Sequence, residues 1–90
     1  MISRTTRAFR ERLATLPIEV QQQARAAFRL FQQNPTHPSL HYKTMRRRGT
    51  ILHSARVGLH YRVLAYEADT VLNWFWIGPH AEYDHLLDRL

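Results

Sequence analysis

Ninety residues allow one compact domain with a small core, expected to span residues 1–90. Apolar residues make up 44% of the chain and ten are aromatic, which excludes intrinsic disorder, while the lack of cysteine excludes a disulfide scaffold or a zinc–thiolate site. The net charge of +6 is unevenly spread: residues 1–48 hold ten Lys/Arg against Glu11 and Glu19, and twelve of the thirteen cations are arginine, Lys43 being the exception.

Arginine offers a planar fork that fits phosphate and carboxylate, so nucleic acid and acidic protein segments are the partner classes that follow. A solvated basic surface is the plainer alternative. No apolar run approaches the roughly 18 residues needed to cross a bilayer, and no signal-peptide core is present. A cytoplasmic protein without a membrane partner is the expectation.

Thr6 to Leu16 reads as a short amphipathic helix, with Phe9, Leu13 and Leu16 on one stripe. Leu16-Pro17 interrupts it. Pro17 suits the first position of a second helix, and Glu19 favours its positive end. Val20, Ala24, Ala27, Phe28 and Phe31 form that helix's buried stripe, and Asn34-Pro35 ends it. The two make an αα-hairpin.

After the Pro35–Ser39 loop the period changes from 3.6 to 2. Strands are expected at His41–Arg46, Ile51–Val57, Tyr61–Glu67 and Thr70–Ile77. Arg46-Arg47-Arg48-Gly49, Gly58 and Ala68-Asp69 supply the turns. Pro79 ends the last strand, and His80 to Leu90 form a closing helical turn or two. The fold class is α+β: an αα-hairpin on one face of an antiparallel meander of about four strands, with a short C-terminal helix on that same face.

A three-residue loop at Gly58-Leu59-His60 pairs Val57 with Tyr61 and Arg56 with Arg62. One face then carries Ala55, Val57, Tyr61, Val63 and Ala65, fit to pack on helices. The other carries Ser54, Arg56, Arg62, Leu64 and Tyr66. Two guanidinium groups directly across a sheet repel unless an anion lies between them. Internal ion pairs to Glu82 or Asp84 are the competing explanation. Trp74 and Trp76, alternating with Asn73, Phe75 and Ile77, mark a central strand that is apolar on both faces. One tryptophan stacking on a base competes with core packing, and core packing is preferred.

His37, His41, His53, His60, His80 and His85 form no metal-ligand spacing, so neither metal nor cofactor is expected. His80 follows Gly78-Pro79 at the end of the central strand, where an imidazole can carry a proton, with Tyr83 one turn later.

Leu16-Pro17, Asn34-Pro35, Ser39-Leu40-His41-Tyr42-Lys43, Ser54-Ala55-Arg56-Val57-Gly58, Tyr61-Arg62 and Trp76-Ile77-Gly78-Pro79-His80-Ala81-Glu82-Tyr83 occur in this order. In this series the chain resembles the RelE/ParE superfamily of toxins from type II toxin–antitoxin modules, over nearly its whole length. The resemblance implies a microbial-RNase-like α+β fold, a small antitoxin as partner, and in RelE-like members cleavage of mRNA in the ribosomal A site. Arg62 matches a phosphate-stabilising arginine, His80 a functional arginine or histidine position, and Tyr83 a C-terminal aromatic. These three are the expected catalytic residues, with Arg56, Lys43, Arg46, Arg47 and Arg48 binding RNA or phosphate. Leu52 and Ser54 stand where RelE has lysines, so a histidine is needed as base: His80 first, then His41, His53 and His60. The family's first edge strand is reduced to Ile2–Arg4 or missing. ParE-like members instead inhibit DNA gyrase without nuclease activity, and a relative that binds its antitoxin without cleaving is a third possibility.

Overall fold

The computed structural model describes residues 2–90. A strand β1 (Ile2–Thr5) precedes α1 (Arg7–Ala14) and α2 (Ile18–Gln33). A 3-10 turn at Pro38–Leu40 then leads into β2 (Lys43–Arg47), β3 (Thr50–Val57), β4 (Tyr61–Ala68), β5 (Val71–Pro79) and α3 (His80–Arg89). The sheet has five strands in the order β1-β5-β4-β3-β2.

The expected four-strand antiparallel meander is therefore one strand short. β1 lies parallel to β5, from Ile2 opposite Val71 to Thr5 opposite Trp74, and makes the sheet mixed. The ladder continues for one bond, Thr6 N–H to Trp74 O at 2.9 Å. Thr6 then caps α1, its hydroxyl accepting from the Phe9 amide.

Where β1 ends, the rest of the β5 edge is sealed by Arg12 of α1. Its Nε donates to the Ile77 carbonyl at 2.8 Å, and its guanidinium lies 5.0 Å from the centre of the Trp76 ring. That indole is folded along Gly78, where a Cβ would come within 2.6 Å of it. Glycine at this position permits the close approach.

α1 and α2 pack on one face of the sheet. Phe9 and Val20 are buried there, and Phe9 forms a core with Ala55, Val57, Val63, Ala65, Leu72, Trp74 and Ile77. Phe28, expected inside, is 39% exposed. It lies at the mouth of a cavity of about 300 Å³ between α1, α2 and the sheet, beside Arg25 and Arg29. The helical hairpin stands slightly off the sheet rather than sealing it.

α3 was expected on the same face as the hairpin; it packs on the opposite one. Leu64, Trp76 and Tyr83 form a second core, with Phe75, Leu86 and Leu87 packed against it. The cause is a bulge. Leu64 pairs with Trp76 but Ala65 pairs with Trp74, so Phe75 is the extra residue. Simple alternation would put both tryptophans on one face. The bulge instead sends Trp74 to the hairpin side, edge-on to Phe31 at 5.6 Å, and Trp76 to the α3 side. Neither indole is free to stack on a base, since Trp74 and Trp76 are 5% and 9% exposed.

The hairpin turns follow from backbone chemistry. Arg48 and Gly49 have φ of +51° and +80°, and Asp69 and Thr70 of +53° and +61°. Both loops are two residues long between paired positions, the geometry that matches strand twist. The triple-arginine turn is thus only Arg48-Gly49; Arg46 and Arg47 belong to β2. Among the described residues, no helix is long and apolar enough to cross a membrane.

Candidate functional site

The expected register at Gly58 is the one observed: Val57 lies opposite Tyr61 and Arg56 opposite Arg62. Both guanidinium groups lie on the sheet face that α3 crosses. Neither pairs with a carboxylate among the described residues; Asp84 instead sits 3.5 Å from His80 Nε2. The arginine pair is unneutralised, yet its setting is not a bare surface. Arg62 is 5% exposed, covered by Tyr83 of α3, which is itself 1% exposed.

Arg62 is held in a polar socket. One Nη2 donates to the Ser54 hydroxyl and, at 3.3 Å, to the His41 carbonyl. Its Nε is buried without a partner, as is the Tyr83 hydroxyl. The guanidinium lies 5.0 Å from the centre of the Tyr83 ring, with Lys43 Nζ at 5.7 Å from the same ring. The His80 ring approaches Tyr83 at 5.8 Å. Arg62, His80 and Tyr83 therefore converge, and Lys43 joins them.

His41 ties the corner together. Its backbone is left-handed, with φ of +43°, at the end of the 3-10 turn. A non-glycine residue in that region stores strain that its surroundings must hold. Here the turn aims the carbonyl at Arg62, while Nε2 accepts from Arg56 Nη1 at 3.1 Å. Arg56, half-buried, also donates to the Gly58 and Leu59 carbonyls, so the same fork closes the β3–β4 loop.

The arginine run divides. Lys43 and Arg47 lie on the α3 face, opposite Ser54 and Thr50, whereas Arg46 lies opposite Ile51 on the hairpin face. Arg48 occupies the turn. Arg46 is therefore not part of the cluster, and Arg47 and Arg48 stand at the far end of β2 from it. Of the remaining histidines, His60 contributes its carbonyl to the His80 amide at 2.8 Å. His53 is on the other face, away from Arg62.

His53 belongs instead to a group that sequence reasoning missed. It is 5% exposed; Nε2 donates to Glu67 Oε1 at 2.8 Å, and Nδ1 meets the Tyr42 hydroxyl. The signal was in the register. His53 shares the apolar face with Ala55 and Val57, and a buried imidazole needs partners. Glu67 is the only acid on the same face of the neighbouring strand. Tyr42, anchored on this side, places its neighbours His41 and Lys43 on the other.

Burial, and secondarily the Glu67 charge, raises the Tyr42 phenol above its ordinary value near 10. The folded chain therefore keeps this proton more tightly than the unfolded chain. That stabilisation is complete below about pH 10 and is lost as pH rises through the folded value. Urea melts from pH 9 to 11 should show a steeper loss of stability in the native chain than in Tyr42→Phe. Parallel curves would refute the assignment.

The fold is similar to that of a copper-bound point mutant of a toxin from Helicobacter pylori, with a TM-score of 0.59 and 13% sequence identity, over 91% of this chain and 97% of that one. No curated protein matches the sequence. Residues 19–85 match the model of the ParE-like toxin domain. That span takes in α2, β2 to β5 and the first part of α3, hence the arginine pair, His41, His80 and Tyr83, and on it the chain belongs to the ParE-like toxin domain family.

Proposed function

We propose that the chain is the toxin of a type II toxin–antitoxin module and acts as a ribosome-dependent mRNA endoribonuclease. The observation that carries this reading is the Arg56–Arg62 pair, side by side with no carboxylate partner among the described residues and both hydrogen-bonded to His41. An unneutralised cationic pair favours an anion between its forks. In the cleavage step the ribose 2′-oxygen attacks the adjacent phosphorus and the bond to the 5′-oxygen breaks. His80, exposed and beside Asp84, takes the 2′ proton, and the leaving oxygen takes one from solvent. Arg62 and Arg56 stabilise the charge that builds on the phosphate, with Lys43 beside them. Because the Tyr83 ring of α3 lies over Arg62, substrate contact requires the first turn of α3 to shift.

The burial of Arg62 and Tyr83 favours a second reading, ParE-like inhibition of DNA gyrase without cleavage. Expression in bacteria with primer extension on a reporter mRNA separates the two. Cuts within codons that vanish in His80→Ala support the nuclease. Growth arrest with intact mRNA, and loss of supercoiling by purified gyrase, supports the second reading and overturns the first.

A toxin of this family implies an antitoxin. The apolar cavity under Phe28, rimmed by Arg25 and Arg29, suits an amphipathic helix with acidic flanks. This adds to the basic α3 face, where acidic side chains would meet Lys43 and Arg56.

A further inference from the structure

Beyond the arginine corner, the α3 face holds a second cavity, of about 340 Å³, where the end of α3 meets the β2–β3 turn. Its wall contains Arg47, Arg48 and Arg89, together with Leu52 and the rings of Tyr66 and Phe75. Tyr66 is 37% exposed, and its ring lies 5.7 Å from that of Phe75 at a 46° tilt. None of the three arginines makes an ion pair among the described residues. Exposed aromatic faces beside unpaired guanidinium forks recognise a nucleobase together with its phosphate.

The cavity is joined to the corner. α3, through Tyr83, covers Leu64 and Trp76, while the edge strand β2 stays largely exposed. Along it Lys43 and Arg47 share the α3 face, four residues or about 13 Å apart. A row of cations ending at an aromatic cavity fits an extended polyanion better than a compact ligand. Single-stranded RNA is favoured over duplex, because stacking requires unpaired bases.

We infer that this cavity is a nucleotide subsite, stacking one base of single-stranded RNA on Tyr66 while Arg47, Arg48 and Arg89 hold its phosphates. The inference rests on the RNA reading above and extends it to a base several nucleotides from the reacting bond.

The experiment measures binding of a labelled hexaribonucleotide to the full chain. Tyr66→Ala should weaken it roughly five- to 150-fold, the range for one stacked base. Arg89→Gln, at an exposed helix end, should weaken it and flatten the salt dependence. When an abasic residue is moved along the oligonucleotide, one position should make Tyr66→Ala silent. Arg56→Gln serves as the control at the other end of the face. Affinity that depends on Arg56 but not on Tyr66 or Arg89 overturns the subsite and leaves the RNA reading standing. A chain that ignores RNA and binds a poly-glutamate peptide through Arg47 and Arg89 overturns both.

Discussion

Arg62→Met is expected to leave the fold standing and to abolish growth arrest. The guanidinium is buried with no acid partner, and its Nε has no acceptor. Desolvating such a group is costly, and a hydrophobic side chain of similar length often replaces a buried charge at no net loss. Methionine fills the same space, and its sulfur can lie against the Tyr83 ring. The repulsion from Arg56 opposite is also removed. Function behaves differently. A fixed donor aimed at charge developing on a phosphate is worth about 10²–10³ in rate, so cleavage should fall by at least that factor. Circular-dichroism melts and primer extension on the same preparations test both halves. Retained cutting would remove Arg62 from the site, and a collapse in melting temperature would make it a structural residue.

The parts of this arrangement legible in the sequence are those where one local rule decides. Gly58 has φ of +59°, and the clean apolar face of Ala55, Val57, Val63 and Ala65 admits only one pairing, so the Arg56–Arg62 contact follows from alternation. Two features were not legible. β1, foreseen only through the resemblance as Ile2–Arg4 or missing, is four residues, Ile-Ser-Arg-Thr, too short for any period, and it is held by its parallel partner and by Arg10 of α1, which donates to the Thr5 carbonyl. The bulge at Phe75 leaves no mark on composition, yet it decides which tryptophan faces which layer. The position of α3 follows from it. Leu64 and Trp76 together make the second face apolar enough to need a cover, and Tyr83, Leu86 and Leu87 provide it. The arginine pair could therefore be anticipated, while the burial of Arg62 could not. The same limit explains why His53 was grouped with the other imidazoles, although its partners were set by register to the opposite face.

Tyr83 should respond in opposite directions to two truncations. Tyr83→Ala removes an aromatic ring that is 1% exposed and in contact with Trp76, Arg62 and Lys43. Emptying such a site costs about 3–5 kcal/mol, a large share of the stability of a domain this small. It also removes the central anchor of α3, so amide exchange along residues 80–89 should quicken more than in β4. Tyr83→Phe keeps the ring and deletes only the hydroxyl, which is buried without a hydrogen-bond partner. An unmet buried polar group costs about 1–3 kcal/mol, so phenylalanine should be neutral or more stable. A polar atom kept at such a cost in the folded chain is readily understood if the hydroxyl finds its partner in the bound state, on a phosphate or ribose oxygen reached when α3 shifts. Tyr83→Phe should then combine a melting temperature at or above that of the native chain with reduced RNA cleavage. If it melts higher and cuts at the native rate, Tyr83 is a packing residue alone, and the chemistry must be assigned to the arginines and histidines around it.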